Sequence, residues 1–174
     1  MMGEVNGYSA IETLRDGQQV EIRGLLAGDR EDFIEAISRT SDQSLYRRFF
    51  GPKRDFTEKE ISFFLNVDFA SHVALVATLD DDGRQVIVGG GRYVISKPGQ
   101  AELAFAVIDQ YQGRGIGAAL LRHLAAIARQ AGLRELVAEV LPSNLAMLKV
   151  FATSGLRLAS SRKGQTVHVE LQLI

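Results

Sequence analysis

The spacing of hydrophobic residues along the chain changes character at His72. Before that point, apolar side chains recur at intervals of three and four residues, as at Phe33, Ile34 and Ile37, which is typical of amphipathic helices. After it, runs rich in β-branched residues are separated by turn-forming residues and by two further helical stripes. The pattern predicts, in chain order, a strand at 20–23, helices at 29–39, 41–50 and from 57, strands at 72–79, 85–95 and 101–108, a helix from 113 to 132, a strand at 134–141, a helix ending at 155, and strands at 156–160 and 166–173.

Capping signals define the ends of three of these helices. Thr57 and Glu60 form a capping-box pattern at the third helix, and Gly132 is placed to end the fourth. Ser143 or Asn144 is placed to cap the fifth. Helices interleaved with strands in this order predict an α/β fold, in which helices lie on the faces of a mixed sheet.

The length of the chain, 174 residues, suits one domain with a hydrophobic core. Residues 1–19 are polar and contain glycine, and we interpret them as a flexible leader. Residues 20–174 are expected to form a single domain, because no linker, repeat or low-complexity segment interrupts them.

Composition narrows the classes of function. Hydrophobic residues make up 46% and charged residues 24%, as in ordinary globular proteins, and a net charge of −1 provides no basic field for nucleic acid. No apolar run is long enough to cross a bilayer and no secretory signal pattern is present, so we expect no membrane partner and a cytoplasmic location. The sequence contains no cysteine, which excludes disulfides and a cysteine acyl-enzyme, and His72, His123 and His168 lack metal-ligand spacing, so no metal is expected.

A glycine-rich segment between a predicted strand and a predicted helix is the first candidate site. The free amides at a helix N-terminus and the helix dipole attract anions, and glycines let a phosphate approach the backbone closely. The segment therefore predicts a phosphate-binding loop formed by Gln112, Gly113, Arg114, Gly115, Ile116, Gly117 and Ala118.

The same segment also satisfies the dinucleotide fingerprint G-x-G-x-x-A through Gly113, Gly115 and Ala118. That fingerprint normally follows the first strand of a doubly wound domain. Here about a hundred residues precede it, and the residues after 132 are too few for a second mononucleotide-binding half. The dinucleotide alternative is therefore disfavoured.

The loop resembles the Q/R-x-x-G-x-G/A motif of the GNAT superfamily of N-acetyltransferases, and the predicted element order is similar to that fold. The resemblance implies a mixed, mostly antiparallel central sheet flanked by helices, with acetyl-CoA as cosubstrate. It implies that the loop from Gly113 to Ala118 holds the CoA pyrophosphate. It also implies that the pantetheine arm bonds to the backbone of Phe105, Ala106 and Val107.

Three segments resemble one bacterial subgroup of that family, the protein lysine acetyltransferases that modify acyl-CoA synthetases. The segments are SLYRRFFGP at 44–52, AELAFAV at 101–107 and EVLPSNLAML at 139–148. The resemblance implies that the acceptor is an amine, most simply a lysine of a protein such as an acyl-CoA synthetase. The subgroup often carries a regulatory or synthetase-like domain that this sequence lacks, and the oligomeric state is not predicted.

Two glutamates are candidates for the base that such a reaction needs, because an amine with a pKa of about 10.4 arrives protonated. Glu102 alternates along its strand with Ala104 and Ala106, small residues that leave room for a ligand on the same face. The subgroup resemblance also places its catalytic glutamate at Glu102. Glu139, on the next strand, is the alternative base.

The last helix carries two further predictions. Asn144 is a helix cap and also resembles the family asparagine that contacts CoA. Many family members have a tyrosine four residues before the glycine that ends this helix, where it protonates the leaving thiolate. Here Phe151 occupies that position relative to Gly155 and cannot donate a proton.

Other polar residues leave alternatives open. One dense cluster of basic residues consists of Arg47, Arg48, Lys53 and Arg54. It is either a solvated surface or a docking site, and the ligand of such a site would be an acidic protein surface or the CoA 3′-phosphate. Tyr93 and Tyr111 are candidates for the acceptor side, and His123 is interpreted as surface or partial core. The functions considered are a protein lysine acetyltransferase, a small-molecule amine or amino-acid acetyltransferase, and a non-catalytic acetyl-CoA sensor.

Overall fold

The computed structural model describes residues 7–51 and 53–173. Its centre is an eight-stranded sheet in the order β1-β2-β3-β4-β5-β6-β8-β7. All neighbouring strands are antiparallel except β5 and β6, which are parallel, so the predicted mixed, mostly antiparallel sheet is confirmed. The strands are β1 (Ser9–Thr13), β2 (Gln19–Gly24), β3 (His72–Asp81), β4 (Arg84–Lys97), β5 (Gln100–Val107), β6 (Glu135–Val140), β7 (Arg157–Lys163) and β8 (Thr166–Gln172).

Five α-helices accompany the sheet within the described residues. Thr57 and Glu60 form the predicted capping box, and the side chain of Asn144 accepts a hydrogen bond from the Met147 N–H at the start of the last helix. The helices are α1 (Arg30–Ser38), α2 (Asp42–Phe49), α3 (Glu58–Leu65), α4 (Ile116–Gln130) and α5 (Leu145–Ala152), with short 3₁₀ turns at Ala27–Asp29 and Asp109–Tyr111.

The central strands are buried on both faces, which explains their nearly continuous hydrophobic sequences. On β3, Val73 and Leu75 belong to the main core with α4, whereas Ala74 and Val76 pack with Phe33 of α1 on the opposite face. Helices α4 and α5 therefore cover one face of the sheet, and the segment from α1 to α3 covers part of the other.

The expectation of a flexible leader is wrong for part of residues 1–19. Ser9–Thr13 forms β1, which pairs with β2, while residues 1–6 lie outside the described residues. Tyr8, just before the strand, and Glu12, within it, form side-chain hydrogen bonds with the His123 ring, in which the Glu12 carboxylate accepts, and they attach this strand to α4. The strand has no fully buried residue and its Ile11 is 62% exposed, so it carries little hydrophobic signal in the sequence.

The parallel strands β5 and β6 separate soon after they meet. Three residue pairs join them, the last being Glu102 with Val137, whereas β6 pairs with β8 over its whole length. The edge of β5 that faces β6 is consequently unpaired from Leu103 to Val107. This gap opens the sheet beside the glycine loop, which follows the fifth strand rather than the first strand of a doubly wound sheet.

Candidate active site

The glycine loop adopts a backbone that requires glycine. Gly113 and Gly115 have φ angles of 78° and 100°, and Gly115 is the N-cap of α4. A Cβ atom at either position would meet no protein atom within 4 Å, so the loop faces open space. Positive φ and an unobstructed helix N-terminus together form the anion-binding geometry expected from the sequence.

A cleft of about 430 Å³ runs from this loop along β5 to the start of α5. The predicted cofactor-binding residues that line it are Phe105, Ala106, Val107, Gln112, Gly113, Gly115, Ile116, Gly117, Ala118 and Asn144. The structure thus brings together loop, strand edge and helix cap, which are distant in the sequence. Among the predicted cofactor-binding residues, Arg114 alone does not line the cleft.

Gln112 and Arg114 hold the loop in place. The Gln112 amide nitrogen donates to the Val107 carbonyl at 2.9 Å and to the Ser44 hydroxyl at 3.1 Å. Arg114 forms an ion pair with Asp16 at 3.2 Å and donates to the Gln110 carbonyl. Their side chains therefore connect the loop to β5, α2 and the β1–β2 turn.

The basic cluster divides into two pairs. Lys53 and Arg54 form ion pairs with Glu60 and Asp42, both at 2.6 Å. Arg47 and Arg48, on α2, line the cleft instead. Only half of the predicted cluster is thus available to a ligand in the cleft.

Helix α2 is fixed beside the cleft by Asp109. The Asp109 carboxylate accepts the Ser41 N–H and hydroxyl, both at 2.8 Å, and the Ser44 hydroxyl at 3.0 Å. Burial raises the pKa of Asp109, but these hydrogen bonds together lower it by more, so the pKa of Asp109 lies below its ordinary value. An ionised Asp109 therefore anchors the helix that carries Arg47 and Arg48.

Several residues that line the cleft were not among the predicted cofactor-binding residues. Arg15 lies in the β1–β2 turn, within the supposed leader, and the other residues come from α5 or its flanks. The residues of this set are Arg15, Ala146, Met147, Lys149, Val150 and Thr153. Tyr111 and Ser44 line the cleft beside them.

A small cavity of about 70 Å³ continues the cleft toward the gap between β5 and β6, and both candidate bases line it. Glu102 is exposed and forms no hydrogen bond through its side chain with any other described residue. The Glu139 carboxylate instead accepts a hydrogen bond from Thr166 at 2.9 Å and interacts with His168 on β8. Glu102 is thus the freer of the two carboxylates.

The aromatic candidates have different surroundings. Phe151 also lines the small cavity, is 1% exposed and packs edge-on against Phe105 with ring centroids 6.2 Å apart. Tyr111 lines the cleft together with the glycine loop, and its predicted place on the acceptor side stays a prediction. The prediction that Tyr93 lies on the acceptor side is wrong, because Tyr93 is buried in the core, where burial raises its pKa to about 12. His123 is half-buried, in agreement with the sequence interpretation.

A third cavity, of about 100 Å³, lies between the sheet and the helices α1 to α3. It is largely apolar, with aromatic walls that include Phe33 and Phe49. Two arginines, Arg48 and Arg92, also line it.

Neither a group of residues able to hold a metal ion nor a helix able to cross a membrane occurs in ranges 7–51 and 53–173.

Comparison with known families gives one match over most of the chain. The model of the acetyltransferase (GNAT) family matches residues 39–156. Among curated proteins, an acetyltransferase of Pseudomonas aeruginosa is 35% identical over 144 residues, which are 82% of this chain and 77% of the relative.

Two further relatives share a name. Acetyltransferase Pat of Mycolicibacterium smegmatis is 33% identical over 144 residues, which are 82% of this chain and 42% of Pat. The chain therefore spans less than half the length of that protein. Among solved structures, the GNAT domain of S. lividans PAT has a TM-score of 0.86 and 35% identity, with 94% of this chain and 96% of that domain covered.

Proposed function

The chain belongs to the acetyltransferase (GNAT) family, and we propose that it transfers an acetyl group from acetyl-CoA to a primary amine. The observation that carries this proposal is the continuous cleft from the glycine loop, past the unpaired edge of β5, to Glu102.

We further propose that the described residues from β1 onward form one domain. A cytoplasmic location is proposed because the sequence contains no cysteine and hence no disulfide.

The cleft suits the two chemically distinct parts of CoA. The amides at the start of α4, next to Gly113 and Gly115, are proposed to bind the pyrophosphate, since the helix dipole favours anions there. The unpaired backbone between Leu103 and Val107 is proposed to bond to the amides of the pantetheine arm, as a further strand would. The Val107 carbonyl is an exception, because Gln112 already donates to it.

Glu102 is proposed as the base of a direct transfer within a ternary complex. It accepts a proton from the acceptor ammonium, directly or through water, and the neutral amine then attacks the thioester carbonyl carbon. The C–N bond forms, the C–S bond breaks, CoA leaves as a thiolate, and the second proton of the amine nitrogen passes to solvent as the amide forms. Support comes from the exposure of Glu102 and its lack of other partners, whereas Glu139 is engaged by Thr166 and His168.

A protein lysine is the proposed acceptor, with an acyl-CoA synthetase as the most direct example. Support comes from the similarity to acetyltransferase Pat and to the GNAT domain of PAT. The resemblance of segments 44–52, 101–107 and 139–148 to the subgroup that modifies acyl-CoA synthetases points the same way.

The proposal is tested by following release of free CoA from acetyl-CoA in the presence of purified acyl-CoA synthetases, polyamines and amino acids. Release with a synthetase, together with acetyl-lysine detected on it by mass spectrometry, is the expected result. Release only with small amines would select the small-molecule alternative. Tight acetyl-CoA binding without release for any acceptor would select the sensor.

A further inference from the structure

Arg48 occupies the point where the three cavities of the site meet. It lines the cleft, the small cavity that contains Glu102, and the apolar cavity beneath α1 to α3. The cleft and the small cavity also share Phe105, Asn144 and Met147, so they are continuous around this side chain. Arg48 is therefore next to the route from the glycine loop to Glu102.

The guanidinium of Arg48 has no fixed anionic partner. Within the described part of the chain it forms no hydrogen bond or ion pair, and its one specific contact is with the Phe49 ring, 4.6 Å from the ring centroid. Burial lowers the pKa of Arg48 to about 10, and the charge of Glu102 opposes that shift. At neutral pH the group is thus a cation in a partly apolar site, and Glu102 is the acid whose charge acts on it.

Arg92, which also lines the apolar cavity, adds a second cation rather than an anionic partner for Arg48. It donates to the Phe64 carbonyl at 2.9 Å and lies 2.8 Å from Nε2 of His72. Burial and the charge of Arg48 lower the pKa of Arg92 to about 9. Two cations so close together, without a carboxylate bonded to either, favour the arrival of an anion.

The proposed reaction produces such an anion at this place. If the pyrophosphate binds at Gly113–Gly117 and the pantetheine arm follows β5 from Val107 toward Glu102, as proposed, the thioester would lie where the cleft and the small cavity join. When the amine nitrogen bonds to the carbonyl carbon, the electron pair of the C–S bond leaves on sulfur. Phe151, which lines the same cavity, offers no proton to that thiolate.

We propose that Arg48 is a catalytic residue that stabilises the CoA thiolate as it leaves, by charge rather than by proton donation. This inference rests on the proposed function. The thiolate takes its proton from solvent after it leaves the site. A fixed cation in a partly buried site stabilises a developing anion more strongly than water does, because the surroundings screen it less.

The direct test measures the pKa of the CoA thiol while CoA is bound to the protein. Thiolate absorbance in the ultraviolet reports this pKa cleanly, because the chain has no cysteine and the signal of its 4 tyrosines is subtracted using free protein. We expect wild-type protein to lower the bound thiol pKa by about one unit or more relative to free CoA. Arg48→Gln should abolish the shift, and Arg48→Lys should retain part of it.

Lys149→Gln is the matched control, because Lys149 is a cation that lines the cleft but not the small cavity. It should weaken CoA binding at most a few-fold and keep the thiol pKa shift. In turnover, Arg48→Gln should reduce kcat by roughly 10²–10³-fold, with the KM for acetyl-CoA changed only a few-fold. Thermal unfolding of Arg48→Gln should match wild type, since removing an unpaired, partly buried charge costs little stability.

The outcomes separate this inference from the proposed function. Bound CoA with the thiol pKa of free CoA would overturn the role of Arg48 and leave acetyl transfer intact. Absence of CoA binding would overturn the proposed function itself. A wild-type preference for succinyl-CoA over acetyl-CoA, lost in Arg48→Gln, would also overturn the inference, because Arg48 would then bind the carboxylate of the acyl group.

Discussion

Two carboxylates line the same small cavity, and their hydrogen bonds suit them to different tasks. Glu139 is held by Thr166 and His168 of the neighbouring strand, which satisfies its oxygens and fixes its direction. Glu102 is exposed where β5 and β6 separate, so an acceptor amine or a water molecule has access to it. At the residue scale, the free carboxylate is the better base.

Glu102→Gln therefore should reduce kcat by roughly 10²–10⁴-fold, the usual contribution of a general base, while acetyl-CoA affinity stays nearly unchanged. Glu139→Gln should reduce kcat only a few-fold. Steady-state kinetics and calorimetric titration with acetyl-CoA measure both quantities. A larger loss of kcat in Glu139→Gln than in Glu102→Gln would exchange the two roles.

His72 gives the protein a sensitivity to acid. Burial and the neighbouring Arg92 lower its pKa to about 4, and Asp68 offsets this only in part. Between pH 6.5 and 4 the unfolded chain binds a proton at this histidine that the folded protein does not bind. Stability from His72 is therefore complete above pH 6.5 and is lost as the pH falls toward 4.

Scanning calorimetry checks this dependence against His72→Gln, in which the side-chain oxygen still accepts a hydrogen bond from Arg92. Between pH 7 and pH 5, the Tm of wild type should fall by roughly 5 °C more than that of the variant. An equal fall of Tm with pH in the two proteins would mean that the pKa of His72 in the folded state is close to its value in the unfolded chain.

At the scale of elements, the N-terminus of α4 depends on glycine for its shape. An alanine at Gly115 would be strained at a φ of 100°, although its Cβ would meet no atom within 4 Å. Gly132, just beyond the other end of the same helix, has a φ of 88° and equally open surroundings. The two glycines thus share their backbone strain and differ in their distance from the cleft.

Gly115→Ala should consequently weaken acetyl-CoA binding by about tenfold or more, because relief of the strain moves the amides that are proposed to bind the pyrophosphate. Gly132→Ala should lower the Tm by a similar amount and leave binding unchanged. Thermal unfolding and calorimetric binding assays compare them. Equal losses of affinity in both variants would indicate general destabilisation rather than a phosphate site.

The elements with strong patterns were predictable, and the contacts that depend on tertiary structure were not. Strand β5 was predicted at 101–108 and lies at Gln100–Val107, because a short run of mostly apolar residues bounded by turns defines it locally. Strand β1 was missed, since hydrogen bonds to α4 rather than buried side chains hold it. The role of Gln112 as a loop anchor depends on its closeness to Val107 in space, which no local pattern encodes.

At the scale of the whole molecule, a nearly neutral protein concentrates positive charge in one cleft. The net charge is −1, yet the cleft is lined by Arg15, Arg47, Arg48 and Lys149. These side chains come from the β1–β2 turn, α2 and α5, which are distant in the sequence and which the fold brings to one cleft. The overall charge predicts no nucleic-acid partner, but it could not reveal this local concentration of positive charge.

The most direct test of this account is a crystal structure of the protein with acetyl-CoA. We predict the pyrophosphate within hydrogen-bond distance of backbone amides between Gly113 and Ala118, and the thioester between Arg48 and Glu102, where β5 and β6 separate. Acetyl-CoA bound elsewhere, or a glycine loop without contact to its phosphates, would contradict the account.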